Sequence, residues 1–569
     1  MPDGTTLDFS RCRLVMTDDG PSAIKEHAKA GVQALIDHPF FALFDEMGAM
    51  KSAQAIVAAQ FLFTMGIINR VIVVAPSSVR TGVWYDEELG ELARHLWTDV
   101  PSTITEYHSR MRAWKHGPET ATAEERLRWV ITNYEFVRPI DYTKRKADKP
   151  KDHRLAKLLA VCSPKTLLIL DESSAVKNSK SAQAKACMQL RQACGRIVLL
   201  NGTPISNSPG DMFSQGNLMS KSILNCPSYT QFCGRYAIMK PVLGPGGKAV
   251  TSPRGFVIKT VDIWSGIEDI QKRFAPYVLR RLKKDCLDLP AKLPPVMLTV
   301  PLDPATWKIY KQMRDELVVW LSNCTLSQAP QAMTKIMRLA QITSGFLGGV
   351  EDMDFNDDGL LEDDPTLAPV PDYIANLDQP VVGVRRAPVQ PVQEVGREKL
   401  DLFLSRFDEH LIEDPSIKIL VRSRFRPEVL RLHKALTARG DITTGMIIGG
   451  QKRVDRQNSL RILDPRTMPA GPAVIVMSVA AGARGLNLTA SHTMYTLSND
   501  FSLDYRLQSD DRLHRPGQLW PVSYFDIVAT GPQGQKTIDH RTLAMLMAKL
   551  DLATLTTSGW LGVLREEAA

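Results

Sequence analysis

No two cysteines in this chain of 569 residues stand at C-x-x-C spacing, although there are eight of them. Cys12, Cys162, Cys187, Cys194, Cys226, Cys233, Cys286 and Cys324 are scattered, and no histidine falls at ligand spacing beside them. That argues against a zinc module and for reduced thiols in a reducing compartment. There is also no run of about 18 apolar residues, so no segment reads as membrane-spanning and no membrane partner is expected. The opening "MPDGTTLDFS" lacks the basic stretch followed by an apolar one that marks a leader. The expectation is a soluble, cytoplasmic protein. A net charge of +8 suits a polyanionic partner, but spread over the whole chain it says little unless it is focused.

What is present is a repeated grammar. In the first third, "RVIVVAP" (70–76), "WVITNYE" (129–135), "TLLILDES" (166–173) and "RIVLLNGTP" (196–204) are short and β-branched or leucine-rich, and each ends in polar or turn residues. Helical stretches such as "KSAQAKACMQLRQACG" lie between them. The pattern predicts an α/β lobe on a doubly wound parallel sheet, with ligands outside the carboxyl ends of the strands. It returns late in the chain as "IKILVRSRF", "TTGMIIGG", "AVIVMSVAAG", "HTMYTLS" and "VSYFDIVA". The expected divisions are an N-terminal lobe at 1–218, a largely helical insertion at 219–345, an acidic, proline-rich linker at 346–395 and a C-terminal lobe at 396–569. In the insertion, "DPATWKIYKQMRDELVVWLSN" has apolar residues at helical spacing. The basic run "YTKRKADKPKDHR" and the segment "RRLKKD" read as a solvated loop and a charged helix face.

Several strand ends carry residues suited to phosphate chemistry. In "FDEMGAMKSAQAI", Gly48 turns the chain and Lys51 and Ser52 open a helix, so the helix N-terminus and the lysine would both face phosphate. The Ser52 hydroxyl would ligate magnesium. In "LLILDES", Asp171 and Glu172 end a buried strand, where the first carboxylate can hold the ion and the second can orient or deprotonate an attacking water. Far downstream, Arg512 and Arg515 of "QSDDRLHRPGQ" lie three apart, on one face if that segment is helical, and could reach a γ-phosphate as arginine fingers.

The order of these motifs resembles the SWI/SNF-type helicase-like ATPases of helicase superfamily two. "DEMGAMKS" is similar to D-E-M-G-x-G-K-T, "VIVVAPSSVRTGVWYDE" to V-x-P-x-S-x-x-x-x-W-x-x-E, and "DESSAVKN" to D-E-A-H-x-x-K-N. "LLNGTPISN", "LRRLKKDCLDLPAK", "GARGLNLTAS" and "QSDDRLHRPGQ" match further motifs in the same order. In that family the region of "RRLKKD" braces the two lobes, so the resemblance leans its reading from a default charged helix face toward a functional segment. The resemblance implies two RecA-like lobes, with ATP and Mg2+ as cofactors and nucleic acid, most often duplex DNA, as partner. It implies ATP contacts from Gly48, Ala49, Met50, Lys51, Ser52, Gly485 and Gln508, with Ser52 and Asp171 on the metal. Catalysis would rest on Lys51, Asp171, Glu172, Arg512 and Arg515. DNA-backbone contacts would come from Pro76, Ser77, Ser78, Thr203, Ser423, Arg424, Gly482, Arg484 and Asn487, with Pro204 beside Thr203 coupling them to the ATP site. Such contacts are salt-sensitive and carry no sequence information. Compactness and the "RPGQ" ending look more like the bacterial and phage branch of that family.

Three departures stand out. Met50 takes the place of the loop glycine, where a side chain has to point away from the phosphates; positive φ there would cost about 1 kcal/mol or more. Ala28 stands where the family carries an adenine-reading glutamine, and Gln33 is five residues out of phase. Ser173 and Ser174 replace an alanine and a histidine. The expected function is a DNA-dependent ATPase that translocates on or remodels duplex DNA. The alternatives are a strand-separating or branch-remodelling helicase and a non-hydrolysing DNA-binding scaffold.

Overall fold

The computed structural model describes residues 7–12, 15–17, 20–22, 25–85, 90–108, 126–138, 154–202, 208–242, 249–251, 255–322, 329–348, 360–361, 392–449, 451–465, 467–479 and 488–550. Two compact units divide the chain. One takes Met1–Lys240, Lys259–Asp288 and Lys549–Ala569, the other Pro241–Ile258 and Leu289–Ala548.

The first unit is built on a seven-stranded sheet of β1 (Phe40–Leu43), β2 (Arg70–Ala75), β3 (Ser102–Glu106), β4 (Leu127–Asn133), β5 (Thr166–Asp171), β6 (Arg196–Leu200) and β7 (Val278–Leu279). Their order is β7-β1-β6-β5-β2-β4-β3, and every pairing is parallel. Strands β2, β4 and β5 are buried along their whole length. Alternate residues feed two cores, Ile72, Val74, Leu168 and Leu170 on one face and Val71, Val73, Leu167 and Ile169 on the other. A continuous apolar run means this in a sheet covered on both sides. Helices α1 (Glu26–Asp37) and α2 (Lys51–Thr64) contribute to the second core.

The second unit repeats the plan with β8 (Val296–Pro301), β9 (Lys418–Ser423), β10 (Thr443–Ile447), β11 (Ala473–Ser478), β12 (Thr493–Thr496) and β13 (Ser523–Thr530). The order is β8-β13-β12-β9-β11-β10, again parallel throughout. Ile419, Val421, Val474 and Val476 face one core and Leu420, Ile475 and Met477 the other. The chain therefore holds two parallel-sheet α/β lobes, the class that the strand pattern predicted.

Each apolar run named from sequence forms a strand, while β1, β3, β7 and β8 lacked that signal. β3 and β8 lie at sheet edges with part of their length exposed, so they need no unbroken apolar run. β1 and β7 are four and two residues long, too short to show a period. The stretch between the lobes supplies β7 to one sheet and β8 to the other. Helix Pro304–Ser322 forms where its apolar spacing predicted it. In the acidic stretch, Leu360–Leu361 pairs with Gln451–Lys452; residues 351–359 and 362–391, like 142–153 of the basic run, lie outside the described residues. Among the described residues no helix is long and apolar enough to cross a membrane.

Candidate functional site

β1 runs into Phe44, Asp45 and Glu46, and the chain then turns at Gly48, whose φ of 81° is left-handed. Met50 follows at φ 60°, ψ 32° and caps the N-terminus of α2. The loop therefore does demand the conformation that glycine adopts freely, and methionine adopts it at a cost of about 1 kcal/mol. Its side chain packs against the apolar core shared with α1 and α2, so methionine fills a hydrophobic contact there. Ala49 is fully buried. The Lys51 ammonium donates to the carbonyls of Asp45 (2.8 Å) and Glu46 (3.2 Å), holding the loop closed on itself. Burial pushes the Lys51 pKa down, against the pull of Glu172, Asp45 and Asp171. Ser52 sits in the first turn of α2.

At the end of β5, Asp171 is buried and held by three donors. Trp84 Nε1–H donates to Oδ2 (2.7 Å), the Glu172 amide to Oδ1 (2.9 Å), and the Tyr134 hydroxyl to the main-chain carbonyl (2.8 Å). Burial raises the Asp171 pKa above the ordinary 3.8, with the Trp84 bond and the Lys51 charge restraining the rise. Glu172 has φ 49°, ψ 56°. Two of the three non-glycine residues with positive φ among the described residues, Met50 and Glu172, thus fall in this one place. Backbone strain concentrates where function constrains geometry. Ser173, one of the two departures in "DESS", donates to Gln215 Oε1 (2.9 Å), which also accepts from Asn201 Nδ2 (3.4 Å) at the end of β6. The serine links the carboxylate turn to the strand before "GTP".

The segment after β7 departs most from its sequence reading. Arg280 and Lys283 are buried, against the default reading of a charged helix face. Arg280 Nη1 donates to the carbonyls of Phe44 and Gly202 (2.6 Å to the latter). Arg281 clamps the wholly buried Asp45 through its guanidinium and its amide (3.0 Å), and reaches Gln54 Oε1 (3.1 Å) and the His27 carbonyl. The Lys283 amide donates to Glu46 Oε2 (2.8 Å). The phosphate-type loop is therefore pinned from behind, and the loop after β6 is tied to it. A Cβ on Gly202 would meet Met47 Cγ at 2.4 Å, so those two loops touch. At the first turn of α1, Ala28 is fully buried, and Gln33 is occupied on the surface with Asp37 (3.0 Å).

Pro76 and Ser77 stand at the carboxyl end of β2, with Pro76 capping the short helix Ser77–Val79 that includes Ser78. In the second unit, Ser423 Oγ is buried among Glu428 Oε2, Ser498 Oγ (3.1 Å) and the Phe425 carbonyl (3.2 Å). Its hydroxyl is already committed, so a phosphate contact from Ser423 falls to its main chain. Arg424 pairs with Asp500 (3.4 Å) and lies 4.5 Å over the Phe501 ring. Helix Leu503–Asp510 carries Gln508, which is buried. It ends before Arg512 and Arg515, so the two arginines share a turn and not a helical face. Pro516 and left-handed Gly517 (φ 98°) follow, and Gln518 locks the turn by donating to the carbonyls of Ser491 (2.9 Å), Leu513 (3.1 Å) and Thr489 (3.3 Å). Buried pairs Arg422–Asp510 and Arg506–Asp526, both 2.7 Å, fasten the helix to the sheet. Thr203, Pro204, Gly482, Arg484, Gly485 and Asn487 lie outside the described residues.

No group of three or more metal-binding side chains occurs among the described residues. One carboxylate and one hydroxyl, from Asp171 and Ser52, nevertheless suit magnesium, which keeps several waters and takes its remaining ligands from nucleotide phosphates. The SNF2-related domain matches residues 41–345. The chain belongs to the SNF2-related family. Among curated relatives, this SNF2-related chain is 23% identical to the Caenorhabditis elegans "SWI/SNF-related matrix-associated actin-dependent regulator of chromatin subfamily A containing DEAD/H box 1 homolog", over 99% of this chain and 55% of that protein. It is 25% identical to the Arabidopsis thaliana "Probable ATP-dependent DNA helicase CHR12", over 86% of this chain and 38% of that one. It thus spans about half or less of the length of these relatives. A solved structure, the "Sulfolobus solfataricus SWI2/SNF2 ATPase core in complex with dsDNA", is 16% identical with a TM-score of 0.36, covering 99% of this chain and 97% of its own.

Proposed function

We propose that this SNF2-related chain hydrolyses ATP at the carboxyl ends of β1 and β5 and uses the energy to translocate on or remodel duplex DNA. The observation that carries the reading is the loop at Gly48–Ser52. Its strained methionine points into the core, which leaves the main-chain amides and the α2 N-terminus for phosphate. In this reading, Lys51 exchanges its bonds to Asp45 and Glu46 for the β- and γ-phosphates. Ser52 and Asp171 hold Mg2+, which when bound neutralises charge on the phosphates. Glu172, set apart by its left-handed backbone, orients or deprotonates the attacking water. Arg512 and Arg515 would stabilise charge on the transferred phosphoryl group, and Gln508 and Gly485 would contact nucleotide. Pro76, Ser77, Ser78, Thr203, Arg424, Gly482, Arg484, Asn487 and the Ser423 main chain would grip the DNA backbone, with Pro204 beside Thr203 in the loop that ties DNA to the ATP site. The tie from Arg280 to both Phe44 and Gly202 supports such coupling, since movement in one loop is felt in the other.

The test is steady-state ATP hydrolysis without nucleic acid, with single strands and with duplex, for the native chain, Lys51→Ala, Glu172→Gln and Met50→Gly. Strong stimulation by duplex, abolished in Lys51→Ala and Glu172→Gln, is the expected result. A silent native chain that becomes active as Met50→Gly would overturn the reading in favour of a binding scaffold with a disabled loop.

A further inference from the structure

The first unit brings two thiols together at the end of its sheet opposite Asp171. β5 and β6 are parallel neighbours, with Leu167 beside Arg196, and at their amino ends the connections that enter them run side by side. Helix Arg154–Leu159 leads through Cys162 into β5, and helix Ala182–Ala193 leads through Cys194 into β6. The connections touch, since a Cβ on Gly195 would collide with the Pro164 carbonyl oxygen. Cys162 and Cys194 hydrogen-bond to each other through their side chains, and the Cys162 thiol also donates to the Leu158 carbonyl (3.3 Å). An arginine steadies the main chain beside each sulfur. Arg70 donates to the Val161 carbonyl, and Arg191 Nη1 to that of Cys194 (3.1 Å). Cys194 is buried, whereas Cys162 is partly exposed. Nothing in the cysteine spacing announces this pair, because only the parallel pairing of β5 and β6 makes neighbours of them.

We infer that Cys162 and Cys194 are a peroxide-responsive pair that closes into a reversible disulfide and staples the two connections together. The roles divide by exposure and charge. The Cys162 thiol is held below its ordinary pKa of 9.0, chiefly by the hydrogen bond from Cys194; burial opposes this and the Arg70 charge assists it. The thiolate is the nucleophile, and an accessible thiol beside a cation is the kind that peroxide selects. Cys194, whose pKa is raised by the same hydrogen bond and by burial, keeps its proton and waits as the resolving thiol. The Cys162 thiolate attacks hydrogen peroxide, forming an S–O bond as the O–O bond breaks and hydroxide leaves. Cys194 sulfur then attacks the sulfenic sulfur, the S–S bond forms, the S–O bond breaks, and the Cys194 proton departs with the hydroxyl as water. Two thiols are oxidised and one peroxide is reduced to two waters. Thiols already in contact need little main-chain movement to join, and a bond between 162 and 194 closes a loop that the unfolded chain would otherwise leave open. In a reducing compartment the pair rests open and responds only to a pulse of oxidant.

The experiment treats the full, reduced chain with graded hydrogen peroxide, alkylates the remaining thiols after unfolding, and maps the peptides by mass spectrometry. The expected result is that Cys162 and Cys194 leave the alkylated pool together, in a linked peptide pair lighter by two hydrogen atoms, and that dithiothreitol restores both. Cys194→Ser should stop the sequence at a sulfenic acid on Cys162, captured by dimedone, and Cys162→Ser should leave Cys194 reduced. The oxidised native chain should unfold at a higher urea concentration than the reduced one and return to the reduced midpoint with dithiothreitol. Full alkylation of both thiols at the highest peroxide concentration that leaves the fold intact overturns the inference, and this reading needs no variant to fold. So does a linkage of Cys162 to any other cysteine, or to a second chain on a non-reducing gel. An oxidised chain no more resistant to urea than the reduced one overturns the staple. None of these readouts requires nucleotide or nucleic acid, so the result stands whether or not the chain hydrolyses ATP.

Discussion

Trp84 shows how a residue far along the chain sets the chemistry of a carboxylate. Its indole donates to Asp171 across 87 positions of sequence, and this bond is the largest restraint on a pKa that burial raises. Trp84→Phe keeps the bulk and removes the donor, so the Asp171 carboxyl should rise further. The acid limb of the pH–rate profile is then expected to move to higher pH. A profile superimposable on that of the native chain would contradict the assignment of Trp84 as the residue that tunes Asp171. At this scale the sequence was legible wherever chemistry follows from local order. Lys51 and Ser52 opening a helix and Asp171 and Glu172 ending a strand needed no distant partner to be noticed. Trp84, Tyr134 and Gln215 were not legible, because their contacts exist only after the sheet has been assembled. Trp84 did stand in one of the quoted motifs, so the signal for its presence existed without the signal for its role.

Among elements, the segment that follows β7 was the least readable. "RRLKKD" has the composition of a solvated face, yet Arg280 and Lys283 are buried and Arg281 satisfies a wholly buried Asp45. Composition reports the average cost of burying charge; a specific partner 236 positions away reverses the outcome. Arg281→Ala would strand the Asp45 carboxylate, and the expected loss is about 3–5 kcal/mol of stability in the first unit, read as a lowered midpoint in urea. Replacing Asp45 and Arg281 together by apolar residues should recover much of that loss, since an unpaired buried charge is worse than none. A single Arg281→Ala chain as stable as the native one would show that the carboxylate finds water or another partner. The helix ahead of Arg512 teaches the converse. Spacing of three suggested one helical face, but the helix stops at Asp510, and spacing alone carries no information about where a helix ends.

At the scale of the whole molecule, the two parallel sheets were legible because strands covered on both faces must be apolar without interruption. Edge strands and very short strands escaped because they need not be. Acid should expose a difference between native and unfolded chains in the second unit. His410, His433, His492 and His540 all have pKa values held below 6.5, chiefly by burial. On lowering the pH through about 6.5 the unfolded chain takes up protons that the fold resists. Stability is therefore full above that pH and falls as the pH drops toward the folded-state values. Glu428, whose carboxyl is raised by burial, acts in the opposite sense, one group against four. Melting followed from pH 7.5 to 5.5 should show a falling midpoint, with a shallower fall in His433→Gln. An unchanged midpoint across that range would mean that these histidines take up protons equally in the folded and the unfolded chain.

The brace from Arg281 to Asp45 also dictates a timetable. During synthesis the loop at Gly48–Ser52 leaves the ribosome early, but the guanidinium that neutralises the buried acid beside it is 236 residues behind. At roughly 5–20 residues per second that is a wait of about 12–47 seconds. For that interval the nascent lobe carries β1 without its edge neighbour β7 and a carboxylate with no counter-ion, a form suited to chaperone custody and unready for nucleotide. The first unit would be complete only late, when the segment after β7 arrives and closes the loop from behind.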